Sequence, residues 1–178
     1  MTAADLLARA HRAMHHGCIY KLGMGGIREN AYWPWNTRGE CDCSGFAAWC
    51  LGVSRHTDHP WYKEQNGGWL ETTAIARDCK TPFGIFEEVA WTDARPGHFL
   101  VWGDSQRGQG HIGIVSQVAT DGPTHAIHCS SGNYRSGGDA IRETGVELFK
   151  QHGALVANCA LVTDPWPEIP GRTPTPEP

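Results

Sequence analysis

Between Met1 and Gly17 the apolar residues recur at helical spacing: Leu6, Leu7, Ala10 and Met14 fall on one side of a helix that Thr2 caps and Gly17 stops. This is a packing element rather than a secretory leader, so no signal peptide is expected. The pattern lapses from Gly23 to Cys41, a Gly- and Trp-rich loop containing Tyr32-Trp33-Pro34-Trp35. It resumes as the apolar run Phe46-Ala47-Ala48-Trp49, which predicts a helix from Cys43 to about Leu51. Trp69 to Asp78 has helix-like composition, while Phe83 to Val89 and Phe99 to Trp102 read as strands. Gly110 to Val115 alternates and is rich in β-branched residues, and Thr124 to Cys129 reads as its return strand. A last helix is expected from about Glu143 to Gln151, with Leu155 to Val162 as the closing strand. The layout is α+β.

Loop length decides which side chains of the two middle strands meet. Ala119-Thr120-Asp121-Gly122-Pro123 carries strong turn residues. A two-residue Asp121-Gly122 turn pairs His128 with Val115 and leaves His111 about 13 Å away along the strand. A four-residue loop from Ala119 to Gly122 instead pairs His128 with Gly113. His128 is then the diagonal neighbour of His111 on one face, at about 7 to 8 Å between backbones. Two imidazoles bridge that gap, so the longer loop is expected. His125 alternates onto the opposite face.

This places candidate chemistry around Cys43, where a polar turn gives way to the apolar run. The first helical turn leaves backbone N–H groups unpartnered and carries partial positive charge, which favours a thiolate. An ordinary thiol titrates near ~8.5 and an activated one several units lower. Asp42 fits as N-cap, and Ser44 and Gly45 are small enough to admit a substrate carbonyl. The bland reading is a buried small hydrophobe. A thiol hydrolase site also needs a histidine base and a group to orient it, neither of which need be near in sequence. His111 and His128 are the candidates, with Asn133 a substitute for the second. His98, His125 and the pair His15 and His16 read as surface or satisfied histidines.

Asp42-Cys43-Ser44-Gly45-Phe46 resembles the nucleophile motif of the NlpC/P60 cysteine peptidases of bacterial cell walls. Arg95-Pro96-Gly97-His98-Phe99-Leu100-Val101-Trp102 is similar to the strand that precedes that family's histidine, and Gly110-His111-Ile112-Gly113-Ile114 to the histidine motif. Ala126-Ile127-His128-Cys129-Ser130-Ser131 resembles the strand bearing the third catalytic residue, and Ile19-Tyr20-Lys21-Leu22-Gly23-Met24-Gly25-Gly26 the tyrosine segment. The order is preserved from Tyr20 to Ser131. The departures are His98 in place of aspartate, Leu22 in place of tryptophan, and Cys41 before the motif.

The resemblance implies a papain-like NlpC/P60 fold, an antiparallel sheet with the nucleophile helix packed on it. It also implies a Cys43-His111-His128 triad that hydrolyses stem peptides of peptidoglycan, between γ-D-glutamate and diaminopimelate. Tyr20, Asp42 and Ser44 would support the site, with the Cys43 N–H and the Tyr20 hydroxyl meeting the oxyanion. Gly52 to Pro96 matches nothing in the family and is expected to shape substrate choice. Trp35 and Trp61 are the candidate groove walls, although a Trp-rich loop more often packs on the core.

Composition narrows the partners. A chain of 178 residues with 40% hydrophobic residues can bury a core without metal or disulfides. Its net charge of -4 gives no basic footprint for nucleic acid, and no apolar run is long enough to cross a bilayer. Seven cysteines leave at least one unpaired, expected to be Cys43, while Cys41 and Cys50 are core residues or a labile pair with other cysteines. Cys41-x-Cys43 lacks zinc-knuckle spacing, so neither metal nor cofactor is expected. Six of the eleven prolines lie between Pro165 and Pro178. That composition divides the chain into a catalytic domain, 1–163, and a Pro-rich linker or tail, 164–178, through which a second module or an immunity protein could be met. With no leader expected, access to the wall would come from phage lysis or dedicated secretion. The rival readings are an N-acetylmuramoyl-L-alanine amidase of the same thiol mechanism, a thiol acyltransferase acting on lipids, and an inactive wall-binding module.

Overall fold

The computed structural model describes residues 1–106 and 108–163. The Pro-rich tail, 164–178, lies outside the described residues. Helix α1, Ala3–Arg12, begins in a capping box: the Thr2 hydroxyl accepts from the Asp5 N–H, and the Asp5 carboxylate accepts from the Thr2 N–H. Leu6 and Ala10 are buried. The helix stops short of Gly17 because the chain turns at His15, which takes a left-handed φ of 67°. Strands β1, Ile19–Tyr20, and β2, Glu40–Cys41, then form a short parallel ladder that presents the turn before α2, Cys43–Cys50.

Along the chain, α3, Pro60–Asn66, and α4, Thr72–Asp78, follow α2 before the first strand of the sheet. The helix expected from Trp69 starts later because Glu71 caps it, accepting from the Thr73 and Ala74 N–H groups at 2.8 and 2.7 Å. The sheet holds β3 (Phe86–Val89), β4 (Phe99–Trp102), β5 (His111–Ala119), β6 (Gly122–Cys129), β7 (Ile141–Gly145) and β8 (Leu155–Cys159). It is antiparallel in the order β3-β8-β4-β5-β6-β7. Helix α5, Ser131–Gly137, follows β6, and α6, Glu147–Gln151, follows β7.

The expectation of a helix from Glu143 is corrected by β7. Residues 141–145 complete the hydrogen bonding of β6, and an open strand edge outweighs the helix propensity of Arg142 and Glu143. The termini are tied together: the Met1 ammonium donates to the Leu161 carbonyl at 2.9 Å, and the Thr163 N–H to the Met1 carbonyl at 2.8 Å.

Alternation along the strands divides the core. Phe99, Val101, Ile112, Ile114, Ile127 and Ala157 pack with α1 and α2. Leu100, Val115, Ala126 and Val156 pack on the other face with Phe149 of α6. His111 and His128 have the parity of Val115 and Ala126 and therefore stand on the α6 face, each with its ring against Phe149.

The β5–β6 turn is tighter than the expected four-residue loop. Ala119 pairs with Gly122, so only Thr120 and Asp121 lie at the tip. Two register shifts follow, one between Val118 and Gln117 and one between Gln117 and Val115, and they cancel. Val115↔Ala126 and Ile114↔Ile127 return to the register that the longer loop implies. Gly113 lies beside His128: a Cβ on Gly113 would come within 3.1 Å of the His128 Cβ.

Candidate active site

Cys43 is the first residue of α2, and its position is fixed by Asp42. One Asp42 oxygen accepts from the Gly45 N–H at 2.8 Å, capping the helix. The other accepts from the Gly23 N–H at 2.6 Å. Arg55 completes the arrangement from the chain segment after α2. Its guanidinium ion-pairs with Asp42 at 3.1 Å and donates to the Ser44 hydroxyl at 2.8 Å and the Met24 carbonyl at 3.0 Å. A buried carboxylate left without such a partner would be costly, and here both charges are enclosed. Asp42 and Ser44 are thus both held in the turn by this network. Arg55 was not anticipated, because nothing local in the sequence joins it to residues thirteen positions away.

Glycine lets the loop and the helix approach backbone to backbone. Gly25 and Gly26 have φ of 81° and 67°, and a Cβ on Gly26 would run into the Gly45 carbonyl. This contact seats the tyrosine segment on the first turn of α2. Tyr20 pairs with Cys41 across β1 and β2. Burial, then the neighbouring charges of Cys43 and Asp42, push its phenol well above the ordinary range, so the hydroxyl keeps its proton.

Cys41 and Cys43 lie side by side in sequence but in different surroundings. The Cys41 thiol donates to the Asp42 carbonyl at 3.4 Å and hydrogen-bonds with the thiols of Cys18 and Cys129 in the interior. Cys43 lines a cleft of ≈ 450 Å³ with Leu22, Arg55, Trp69, Glu71 and Asp104. All seven cysteines are free.

Cys43 approaches the sheet from the α2 face, whereas the histidines stand on the other. The Cys43 thiol hydrogen-bonds to the backbone N–H of Ile112, the residue after His111. Among the described residues no hydrogen bond joins the Cys43 and His111 side chains. The two histidines do meet: His111 Nε2 lies 2.7 Å from His128 Nδ1, with the rings T-shaped. His128 Nε2 in turn lies 2.9 Å from the Thr144 hydroxyl. Trp102 is the cross-strand partner of His111 and stacks on His152.

The expected acidification of Cys43 is not found. Burial and then the adjacent Asp42 charge push the thiol up to about 12, outweighing the N–H groups of Ile112 and Ser44 and the Arg55 charge. Burial holds His111 well below the usual histidine range and lowers His128 to about 4. The resting site is therefore an uncharged thiol beside uncharged imidazoles.

Other sequence candidates fall elsewhere. Trp61 packs into the core at 4.8 Å from Tyr62, and Trp35 stacks on Trp33 at 4.8 Å, so neither lines this cleft. Their positions follow the core reading of the aromatic residues. The aromatic wall is Trp69, 40% exposed. Arg55, Trp69, Glu71 and Thr72 all come from the Gly52 to Pro96 stretch. His98 accepts from the Arg95 N–H at 3.2 Å in the turn before β4, and His125 contacts the Thr124 hydroxyl at 3.2 Å, both apart from the imidazole pair. Asn133 donates to the backbone carbonyls of His128 and Ala140, bracing the end of β6.

The family model of the CHAP domain matches residues 32–133, more than half of the chain. The chain belongs to the CHAP family. CHAP domains are cysteine- and histidine-dependent amidohydrolases and peptidases that act on peptidoglycan, and they occur in NlpC/P60-like and amidase proteins. The α+β architecture described above is that of a papain-like CHAP fold, and this CHAP protein is a peptidoglycan hydrolase. No helix among its described residues is long and apolar enough to cross a membrane. No curated protein matches the chain.

Proposed function

We propose that this CHAP domain is a cysteine endopeptidase of the stem peptide, cleaving between γ-D-glutamate and diaminopimelate through Cys43, His111 and His128. The observation that carries the reading is the placement of the thiol against the strand that bears one of two hydrogen-bonded imidazoles. Cys43 contacts the backbone at Ile112, and the imidazole next in the chain is hydrogen-bonded to a second one. With both partners uncharged at rest, the thiol proton passes to His111 Nδ1, the nitrogen not bonded to His128, as the sulfur attacks the carbonyl carbon. The tetrahedral oxyanion is met by the Cys43 N–H at the helix start and by the protonated Tyr20 hydroxyl. His111 then returns its proton to the leaving amine, and a thioester remains on Cys43. Water, deprotonated by His111, hydrolyses the thioester and releases the carboxylate.

His128 accepts the hydrogen bond of His111 Nε2 and holds the ring in place. An uncharged partner orients the base more than it stabilises the imidazolium formed in the reaction. Glu71, Asp104 and Trp69 offer a polar and aromatic wall to a peptide, in keeping with the role assigned to the stretch from Gly52 to Pro96. We assign catalysis to residues 1–163 and read 164–178, from composition, as a linker through which a further module or partner could act.

Cys43→Ala is expected to abolish digestion of purified sacculi while leaving the circular dichroism spectrum and melting temperature near those of the parent. Digestion by a folded Cys43→Ala variant would overturn the reading. Mass spectrometry of the products separates the endopeptidase, which leaves a new amine on diaminopimelate, from the amidase. The amidase would leave a new amine on L-alanine instead.

A further inference from the structure

Thr144 lies on β7, outside the span matched by the CHAP model, and no part of the reading above uses it. The β6–β7 register pairs Ala126 with Thr144 and His128 with Arg142, which makes Thr144 the diagonal same-face neighbour of His128. Its hydroxyl makes two contacts. It donates to the Gly145 carbonyl at 3.0 Å and lies 2.9 Å from His128 Nε2.

A hydroxyl has one proton, and the Gly145 carbonyl can only accept. With that proton committed, the Thr144 oxygen can only accept from His128, so Nε2 of His128 carries the hydrogen. A neutral imidazole protonated at Nε2 has a bare Nδ1. That atom lies 2.7 Å from His111 Nε2, which must then be the donor. The remaining nitrogen of His111, Nδ1, is left with its lone pair free. Reversing the chain gives the opposite result. If Thr144 donated to His128, the His128 proton would sit on Nδ1, His111 Nε2 would accept it, and the His111 proton would move to Nδ1. An imidazole in that form cannot take a proton from a thiol through Nδ1.

We infer that Thr144 is a positioning residue whose hydroxyl, anchored on the Gly145 carbonyl, sets the tautomer of both His128 and His111 and so keeps His111 Nδ1 ready as the base. The inference rests on the proposed role of His111, and it extends the imidazole pair by one residue to a backbone acceptor. The surroundings leave the tautomer choice to this chain of hydrogen bonds. Phe149 of α6 packs on both rings and offers no hydrogen bond to them. Trp102 of β4 meets His111 with the rings tilted at 54°, and its indole N–H donates to the Gln109 carbonyl. The Arg142 guanidinium lies against Gly137 and lines a separate hollow with His15 and Asp139. The titratable groups near the pair are Cys43 on α2 and His152 beyond α6, the latter stacked on Trp102.

Thr144→Val keeps the shape of the side chain and removes the hydroxyl, whereas Thr144→Ser keeps the hydroxyl. Thr144→Val is expected to lower kcat on muropeptides by about tenfold or more with KM little changed, because the protonation state of the base is altered and not the binding of substrate. Thr144→Ser is expected to restore kcat to within about threefold of the parent. Long-range proton–nitrogen NMR of the resting protein reads the tautomers directly and needs no activity. The parent and Thr144→Ser should show Nε2–H on both rings, and Thr144→Val should show a mixture or the Nδ1–H form on His111. A parent protein with Nδ1–H on His111, or a folded Thr144→Val variant with parental kcat and parental tautomers, overturns the inference. The parental spectrum decides it even if Thr144→Val fails to fold. Failure of the catalytic reading is distinct, since it appears as activity in Cys43→Ala, whatever the tautomers.

Discussion

Cys43 sits at a helix start, a position that normally favours a thiolate, yet burial and the Asp42 charge prevail and hold it as a thiol up to about 12. The N-terminal dipole contributes a fraction of a unit charge to a group that has little access to water, while Asp42 is a full charge on the adjacent residue. Nucleophilicity in this protein therefore depends on a base at the moment of reaction rather than on a stored thiolate. The consequence is measurable. Iodoacetamide should label Cys43 slowly at mildly acidic pH, and the rate should climb with pH through and beyond the range of an ordinary thiol near ~8.5. A labelling rate already at its plateau at mildly acidic pH would show a preformed thiolate and contradict this account. The residue also illustrates a limit of reading a motif. Asp42 is legible as an N-cap, but its electrostatic effect on Cys43 is not, because that depends on how far both are buried.

At the scale of elements, the site is made by two fits between backbones. One is the seat of the loop from Gly23 to Gly26 on α2. Ordinarily Gly→Ala within a helix gains up to about 1 kcal/mol. At Gly45 the sign should reverse, since a Cβ there would lie 2.7 Å from the Met24 carbonyl oxygen and 2.9 Å from the Gly25 backbone. Gly45→Ala is expected to cost about 1 to 3 kcal/mol, read as a lower urea midpoint at unchanged slope. An increase in stability would mean the loop is not seated as described. The other fit is the β5–β6 hairpin. Its alternation was visible in the sequence, and so was the register that brings His128 to Gly113. The length of the turn was not, because Ala119 closes onto Gly122 in that same register and shortens the tip to Thr120 and Asp121, while the two cancelling shifts lie farther along, around Gln117. Strand β7 was missed for a related reason. Its residues carry no strong strand pattern, and only the open edge of β6 makes a strand of them.

For the whole molecule, enclosing two histidines on the α6 face links stability to pH. The folded protein holds His128 at about 4 and His111 well below its usual value, whereas an unfolded chain titrates its histidines near ~6.5. Both shifts are downward, so the unfolded state binds more protons in the interval. Their contribution is complete above about pH 6.5 and is lost as pH falls through about 4. Urea titrations should give an unfolding free energy that drops by at most roughly 1.4 kcal/mol per pH unit for each histidine across that window. A stability flat from neutral pH to about 4 would show that the rings are hydrated in the folded state. By itself the sequence determined the α+β class, the helix behind Cys43, the candidates Cys43, His111 and His128, and a family resemblance, since periodicity and short motifs are properties of neighbouring residues. Tertiary structure alone decided the protonation of Cys43, the Arg55 partner of Asp42, the Trp69 wall and the Thr144 contact. Each of those depends on burial or on groups brought together from distant parts of the chain, and neither is written in local order.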